Sequence, residues 1–326
     1  MAAFKVYVSD YDYPDLTIER AILEPIGATV IGLQCKTGEG LAEQARDADA
    51  ILQQYANIPR ETIAKLERCK VICRYGIGVD IVDVKAAAER GIFVTNVPDY
   101  CLDEVADHTI ALAFMLVRRI PQYHAASRDA RWHWSASGGE VFRLRGAICG
   151  LVGFGRIAQN IARKLGAFGV SLIASDPVVS DGYMRTFGIR KVELDELLRT
   201  ADVATVLCPY LPSTHHLIDA ARLRAMKPTA VLVNCTRGKI VDNAALYEAL
   251  TQGWIAAAGL DDVEEEPAKK KSWTPGGNPL FKLDNCIITP HVAYVSREAL
   301  VECRRIAAEN ARAVLLGQPP LNPVNP

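Results

Sequence analysis

Short apolar runs alternate with amphipathic stretches along most of the chain. In the first hundred residues, the apolar runs predict strands at residues 5–8, 28–33, 50–53, 71–74 and 92–95. Between these runs, apolar positions recur at helical spacing over residues 14–26, 41–47, 59–67 and 80–90. Strands that alternate with helices are typical of a parallel sheet. This part of the chain is therefore predicted to form an α/β domain of its own.

A second alternating pattern follows a long apolar stretch. That stretch predicts a helix over residues 102–120, ending at Pro121, and it is apolar on most faces, so we expect it to be buried. Strands are then predicted at residues 147–152, 170–174, 203–207, 230–234, 256–260 and 286–288. Further helices are predicted at residues 156–168, 194–199, 243–250 and 296–316, before a proline-rich tail. The predicted fold class is α/β, with two doubly wound parallel-sheet domains.

The first strand of the second pattern runs into a glycine-rich turn. Gly153, Gly155 and Ala158 stand at the G-x-G-x-x-G/A spacing, and a predicted helix follows at once. Gly153 allows a sharp turn, Gly155 lets a pyrophosphate approach the backbone, and Ala158 lets the helix lie close to the strand. Free N–H groups at the start of the helix would face the phosphates. The pattern predicts a dinucleotide site; the alternative is a glycine-rich turn packed for structural reasons.

An acidic residue follows at the distance this kind of site requires. Asp176 ends the next predicted strand, 21 residues after Gly155. A carboxylate there would accept hydrogen bonds from the adenosine ribose and would repel a 2′-phosphate. The adjacent residues 177–179 are Pro-Val-Val and offer no cation. The sequence therefore favours NAD over NADP.

Polar groups lie at other predicted strand ends of this sheet. In open α/β sheets, ligands bind at the carboxyl ends of the strands. Arg237, Glu266 and His291 lie in such loops. Arginine matches a carboxylate with its planar fork, and histidine can give and take a proton near neutral pH. A carboxylate behind the imidazole would favour its protonated form. These groups suit hydride transfer to a 2-oxo acid without a metal, although each could instead be a structural or solvated residue.

Composition restricts the partners and the compartment. Half of the residues are hydrophobic and 23% are charged, as in ordinary globular proteins. The formal net charge of −1 gives no attraction to nucleic acid or to an anionic membrane. The nine cysteines form no C-x-x-C pair, which predicts reduced thiols in a cytoplasmic protein. The longest apolar stretch, residues 110–117, is too short to span a membrane, and the N-terminus is predicted to be a strand rather than a signal peptide.

Several motifs together resemble the D-isomer-specific 2-hydroxyacid dehydrogenase family over nearly the whole chain. They are Gly150–Ile157, Met226–Gly238, Gly259–Pro267 and Thr289–His291. Within the family, the chain is similar to the branch of the C-terminal binding proteins and their bacterial dehydrogenase relatives. The segments typical of that branch are Asp10–Pro14, Arg74–Gly78 and Asn96–Asp99.

The resemblance implies roles for individual residues. Arg237 would bind the substrate, Glu266 and His291 would form the proton-relay pair, and Asp261 would contact the nicotinamide end. The implied substrate contacts are Arg74, Ile77, Gly78, Arg237 and Tyr294. The implied cofactor contacts are Gly153, Phe154, Gly155, Arg156, Ile157, Asp176, Cys208, Pro209, Thr214, Cys235, Thr236, Arg237, Asp261 and His291.

The chain also departs from the family pattern. Tyr294 stands where many members carry a tryptophan against the substrate side chain. Asp262 follows Asp261 where members commonly have an apolar residue. This second acid could alter the nicotinamide pocket or simply face solvent, and the sequence leaves both possibilities open.

The resemblance also implies an architecture and an activity. A Rossmann NAD domain, residues 100–296, would be inserted into a flavodoxin-like substrate domain made of residues 1–99 and 297–326. The implied reaction is reduction of a small 2-oxo acid by NADH to the (R)-2-hydroxy acid, or its reverse, in a homodimer.

Two other functions stay open at this point. One is an NAD(H)-responsive, corepressor-like binding protein with weak or no dehydrogenase activity, although the three reacting residues are retained and long extensions are lacking. The other is a phosphite-type dehydrogenase, which those three residues do not exclude. A formate-type enzyme is disfavoured, because those enzymes carry glutamine where Glu266 stands.

Overall fold

The computed structural model describes residues 4–267, 270 and 272–325. They form two compact units. The first unit consists of the chain up to Cys101 together with the chain from Val295 onward, and the second consists of Leu102–Pro267 and Ser272–Tyr294. Each unit contains one parallel sheet, with five strands in the first and seven in the second. The predicted α/β class with two parallel sheets is confirmed.

The sheet of the first unit has the strand order β2-β1-β3-β4-β5, with every pairing parallel. This is the flavodoxin-like order, which places helices on both faces. The strands are β1 Phe4–Val8, β2 Ala28–Gly32, β3 Ala50–Gln53, β4 Val71–Arg74 and β5 Phe93–Thr95. The helices between them are α1 Thr17–Leu23, α2 Gly38–Gln44, α3 Arg60–Lys65 and α4 Val84–Glu89.

The second unit begins with two helices, α5 Leu102–Val117 and α6 Ile120–Arg128. Its sheet has the order β12-β11-β10-β9-β6-β7-β8, again parallel throughout. The strands are β6 Ile148–Val152, β7 Ser171–Ser175, β8 Arg190–Lys191, β9 Val203–Val206, β10 Val231–Asn234, β11 Ala257–Leu260 and β12 Cys286–Ile288. The helices are α7 Arg156–Gly166, α8 Asp181–Arg185, α9 Leu194–Thr200, α10 Ala220–Ala225 and α11 Asn243–Gln252. The order reverses at β6, as in Rossmann folds.

One helix boundary differs from the prediction. We expected a single helix over residues 102–120 that ends at Pro121, but α5 ends at Val117 and α6 starts at Ile120. Arg119 takes a left-handed conformation, with φ 51°, between the two helices. Pro121 lies in the first turn of α6, where a missing N–H costs no helical hydrogen bond. The proline therefore starts the second helix rather than ending the first.

The last helix returns to the first unit. This helix, α12 Arg297–Leu315, starts at Ser296, whose hydroxyl accepts a hydrogen bond from Ala299 N at 2.9 Å. Its buried face packs into the apolar core of the first unit. The tail beyond it covers the edge strand β5, where Val324 N donates to Val94 O at 2.8 Å and Val94 N donates to the Asn325 side chain at 2.6 Å. Pairing of this kind protects an exposed strand edge.

A buried ion pair fixes α12 to the first helix of the chain. The Arg304 guanidinium donates to both carboxylate oxygens of Glu19, at 2.9 and 2.7 Å. Glu19 is fully buried and Arg304 is 6% exposed. The hydroxyl of Tyr75, directly after β4, donates to the same carboxylate at 3.0 Å. The closing helix is thus connected to the loop that carries the predicted substrate contacts of this unit.

The thiols and the helices match ordinary globular structure. All nine cysteines are thiols rather than disulfides. Burial raises the pKa of Cys69, Cys73, Cys149, Cys286 and Cys303 to about 12 in each case. Such thiols stay neutral and act as small apolar groups. Within the described part of the chain, none of the helices combines the length and the apolar character that crossing a membrane requires.

We predict that Arg304→Met destabilises the first unit by about 3–5 kcal/mol, because it leaves the Glu19 carboxylate buried without its cation. Denaturant-induced unfolding followed by circular dichroism measures this. Arg297→Met, which removes an exposed arginine of the same helix, is the matched control, with a change of about 0.5 kcal/mol or less. Equal effects of the two substitutions would contradict a stabilising role for the buried pair.

Candidate dinucleotide and active site

The glycine-rich turn after β6 has the geometry that a pyrophosphate needs. Gly153 has φ 93°, and a Cβ at this position would lie 2.8 Å from the backbone nitrogen of Cys208. The turn therefore requires glycine here. At Gly155, a Cβ would meet no atom within 4 Å, so the space beside this backbone is open. Helix α7 begins at the next residue, Arg156, and Ala158 is fully buried against the sheet. These features fit a dinucleotide phosphate site.

Asp176 lies beside this turn. Its carboxylate accepts hydrogen bonds from the backbone N–H groups of Phe154 and Val178, both at 2.8 Å, and of Val179 at 3.0 Å. Burial raises the pKa of Asp176, but these three donors more than offset burial, so its pKa lies below the ordinary value. The group is ionised at neutral pH, as recognition of the ribose hydroxyls requires.

One nearby cation was not anticipated. Lys191, on the edge strand β8, donates from its ammonium to Val179 O at 2.6 Å. It helps to lower the pKa of Asp176. The sequence of residues 177–179 shows no basic residue, and only the pairing of β7 with β8 brings one close. No sequence spacing pointed to Lys191.

The other predicted cofactor contacts lie in turns after β9 and β10. Thr214 closes the turn after Cys208 and Pro209, because its hydroxyl donates to Pro209 O at 2.8 Å and accepts from Leu211 N at 2.7 Å. Thr236 donates from its backbone N–H and its hydroxyl to the Asn234 side chain, at 3.0 and 2.7 Å. Burial raises the pKa of Cys208 to about 11 and that of Cys235 to about 12. Both thiols are therefore protonated at neutral pH and do not act as nucleophiles.

Arg237 stands immediately before a short 3₁₀ turn. Asn234, at the end of β10, holds this turn by donating from its side-chain amide to Arg237 O at 2.9 Å. At the next residue, Gly238, a Cβ would lie only 2.1 Å from the carbonyl carbon of Val263. Glycine therefore lets the Arg237 turn approach the chain that follows β11. That chain leads to Glu266.

The His291 loop is held by a buried carboxylate. Asp261, 2% exposed, accepts hydrogen bonds from the Thr289 hydroxyl at 2.6 Å and from the backbone N–H groups of Val292 and Ala293 at 2.9 and 2.8 Å. His291 N donates to the backbone oxygen of Asp261 at 2.7 Å. Burial raises the pKa of Asp261, and these donors oppose that rise. Sequence reasoning gave Asp261 a cofactor contact and missed this role in holding the loop.

His108, on α5, completes the support of the loop. Its Nε2 lies 3.0 Å from the Thr289 hydroxyl and 3.7 Å from a carboxylate oxygen of Asp261.

The second acid after β11 does not face solvent. Asp262 is 5% exposed, and its Oδ2 lies 3.8 Å from Nδ1 of His291. Of the two alternatives that the sequence left open, exposure of Asp262 is therefore wrong.

Glu266 accepts a hydrogen bond from the Lys239 ammonium at 2.7 Å. The Tyr294 ring stands edge-on to His291, with the ring centroids 6.0 Å apart.

In the first unit, the ends of three neighbouring strands carry polar side chains. Gln53 and Arg74 are paired in register on β3 and β4, and Thr95 ends β5. Within the described part of the chain, each has a buried polar atom without a hydrogen-bond partner, and in Arg74 this atom is Nε. Asn96 fixes the following loop by donating to Ile77 O at 2.8 Å. A buried guanidinium with an unused donor suits an anionic ligand.

Among the described residues, no three or more His, Cys, Asp or Glu side chains lie together in a way that could hold a metal ion.

Comparisons with known proteins identify the class. Residues 110–293 match the family model for the NAD-binding domain of D-isomer-specific 2-hydroxyacid dehydrogenases. The chain is 38% identical over 323 residues to D-3-phosphoglycerate dehydrogenase of Methanocaldococcus jannaschii. The aligned region covers 98% of this chain and 59% of that protein. It is 35% identical over 288 residues to glyoxylate reductase of Korarchaeum cryptofilum, and this aligned region covers 87% of this chain and 85% of that enzyme.

A solved structure has the same fold over nearly the whole chain. D-Lactate dehydrogenase of Aquifex aeolicus, complexed with NAD and lactic acid, has a TM-score of 0.87 to this chain at 28% identity and covers 96% of each chain. The chain therefore belongs to the NAD-dependent D-isomer-specific 2-hydroxyacid dehydrogenase family. The predicted enzyme class and cofactor are confirmed. The relatives named here are phosphoglycerate dehydrogenases and glyoxylate reductases rather than C-terminal binding proteins, so the narrower branch stays a prediction.

We predict that Asp176→Asn weakens NADH binding about ten- to a hundredfold and narrows the preference for NADH over NADPH. The reason is the loss of a charged acceptor for the ribose hydroxyls, whose hydrogen bonds are each worth about 1.5–3 kcal/mol. Fluorescence titration with both cofactors measures the change. Asp181→Asn, which removes the acid at the start of α8, is the matched control. This variant should bind both cofactors as strongly as the unmodified protein does. Unchanged NADH affinity in Asp176→Asn would overturn the assignment.

Proposed function

We propose that the protein reduces a small 2-oxo acid with NADH to the (R)-2-hydroxy acid, or catalyses the reverse oxidation. The observation that carries this proposal is the placement of Arg237, Glu266 and His291 in loops after β10, β11 and β12. These strands are parallel neighbours in the sheet whose glycine-rich turn follows β6. All these loops therefore leave the same edge of the sheet, where ligands bind in this type of fold.

Each side chain has a distinct task in the proposed reaction. NADH, when bound beside the glycine-rich turn, would supply the hydride that C2 of the 2-oxo acid takes up. Arg237 binds the carboxylate and the carbonyl oxygen of the substrate through its planar fork. His291, as the imidazolium, donates a proton to the oxygen at C2 while the C–H bond forms. Glu266 stabilises the charged imidazole before the proton is transferred. The products are the hydroxy acid, NAD⁺ and neutral His291.

The relatives and the first unit support the proposed substrate class. The relatives act on glyoxylate or D-3-phosphoglycerate, and a related structure holds lactic acid, all of them 2-oxo or 2-hydroxy acids. The chain spans only 59% of the length of the phosphoglycerate dehydrogenase it matches, so that enzyme's activity is not transferred as such. The buried guanidinium of Arg74 supports an anionic substrate, and we retain Ile77 and Gly78 as proposed contacts beside it.

We also propose that the protein is a homodimer. The side chains of Trp132 and Trp134 are 87% and 79% exposed in the single chain, and Ile120 is 51% exposed. Large exposed apolar side chains in one segment are typical of a contact surface. The family analogy supplies the second copy as the partner.

We predict that His291→Ala lowers kcat/KM for 2-oxo acid reduction about 10²- to 10⁴-fold, while NADH binding stays near its original strength. The imidazole donates the proton in the reaction but is a minor part of the cofactor contact. The test is NADH oxidation with a panel of 2-oxo acids. His133→Ala, which removes an exposed histidine that contacts Ser135, is the matched control and should remain active.

Three outcomes have a clear meaning, the last of them from a parallel assay of NAD⁺ reduction with phosphite and with 2-hydroxy acids. Unmodified turnover in His291→Ala would contradict the proton-donor role. NADH binding without turnover of any acid would favour the corepressor-like function. Oxidation of phosphite with NAD⁺ at a higher rate than any 2-hydroxy acid would favour the phosphite-type enzyme.

A further inference from the structure

Asp262 is a buried carboxylate for which the proposed reaction has no task. Its side chain is 3% exposed, and its Oδ1 accepts a hydrogen bond from Val263 N at 2.9 Å. A buried carboxylate costs free energy unless nearby groups compensate for its charge. An apolar residue would fill the same space without that cost. The acid at this position therefore calls for a role that an apolar side chain could not fill.

The second oxygen of the carboxylate lies near the proposed proton donor. Oδ2 of Asp262 is 3.8 Å from Nδ1 of His291. This distance is too long for a direct hydrogen bond but short enough for a strong charge–charge interaction. The His291 side chain is only 22% exposed, so solvent screens the interaction weakly.

The other charged groups of the loops at this sheet edge have contacts of their own. The Asp261 carboxylate is held by the 289–293 loop and lies 3.7 Å from His108. Glu266 accepts from the Lys239 ammonium, which offsets part of its negative charge. Arg237 belongs to the turn after β10, and the Tyr294 ring is edge-on to the imidazole. Among the acids of this group, Asp262 adds negative charge on the Nδ1 side of the ring.

We propose that Asp262 is a positioning residue that acts through His291. Its carboxylate stabilises the imidazolium form of His291 and keeps Nδ1 on the side of Asp262. Nε2 is then the nitrogen that donates the proton to the substrate. Asp262 thus reinforces Glu266, whose charge is shared with Lys239. This inference rests on the proposed function, since it assigns His291 the proton-donor role.

The sign of the pH effect follows from this arrangement. Reduction needs the imidazolium, so its rate falls as the pH rises through the pKa of His291. Removal of a neighbouring negative charge makes the imidazolium less stable and lets His291 lose its proton at lower pH. The alkaline limb of kcat/KM for reduction should therefore move to lower pH in Asp262→Asn, by about one pH unit. For the oxidation reaction, which needs neutral His291, the acid limb should move in the same direction.

The experiment combines a pH profile with a direct titration of the imidazole. The imidazole signal of His291 is followed by NMR against pH in the protein without substrate, and it is assigned by its loss in His291→Ala. In Asp262→Asn, both the NMR midpoint and the kinetic limb should move down by about one pH unit. Glu265→Gln is the matched control, because it removes an acid of the same loop whose carboxylate accepts from Asn278, and neither readout should change.

Two further measurements keep the test decisive. If Asp262→Asn does not fold, Asp262→Ser provides a smaller oxygen acceptor for Val263 N and is titrated in the same way. An unchanged NMR midpoint in the folded variant overturns the proposal, whatever the activity. If the unmodified protein reduces no 2-oxo acid, the proposed function fails, and the NMR titration alone still decides whether Asp262 acts on His291.

Discussion

The buried carboxylate of Asp261 is the constraint on which the proposed active site depends. It gathers a hydroxyl and two backbone N–H donors from the chain after β12, and its backbone oxygen accepts from His291. A backbone with φ 57° at His291 is unfavourable for a residue with a side chain. These contacts supply the free energy that holds the strained conformation. The direction of the imidazole is thus a consequence of a group that is itself out of contact with solvent.

A similar principle acts at the other sites of both units. Each parallel sheet delivers its loops to one edge, and small residues then let those loops approach each other. Gly153 brings the dinucleotide turn against the backbone of Cys208, and Gly238 brings the Arg237 turn against Val263. Hydrogen bonds within the loops then fix the charged side chains, as the backbone N–H of Phe154 does for the Asp176 carboxylate. Backbone geometry thus positions the proposed catalytic groups, and side-chain contacts tune their charge.

The family relationship and the site geometry constrain function in different ways. Family membership indicates the hydride carrier, and the class of acid is part of the proposed function. Asp262 and Tyr294 lie beside His291, and Lys239 donates a hydrogen bond to Glu266. Their expected influence is on proton affinity and on the substrate side chain. Differences of this kind separate members of one family that share a reaction.

The amino-acid sequence alone predicts the parallel α/β class, the dinucleotide turn and the residues that we propose for the reaction. These depend on local patterns: apolar runs of strand length, glycines at fixed spacing, and polar residues directly after strands. It was wrong about the helix end at Pro121, because a proline is equally suited to begin a helix.

Contacts between groups on separate strands depend on the tertiary structure. The approach of Lys191 to the Asp176 loop depends on β7 pairing with β8. The burial of Asp262 and its distance from His291 depend on how the ends of β11 and β12 come together. Such contacts join residues that are far apart in the chain, and a carboxylate next to another carboxylate looks the same in sequence whether it faces water or an imidazole. Burial and distance settle that question, and both are properties of the folded chain.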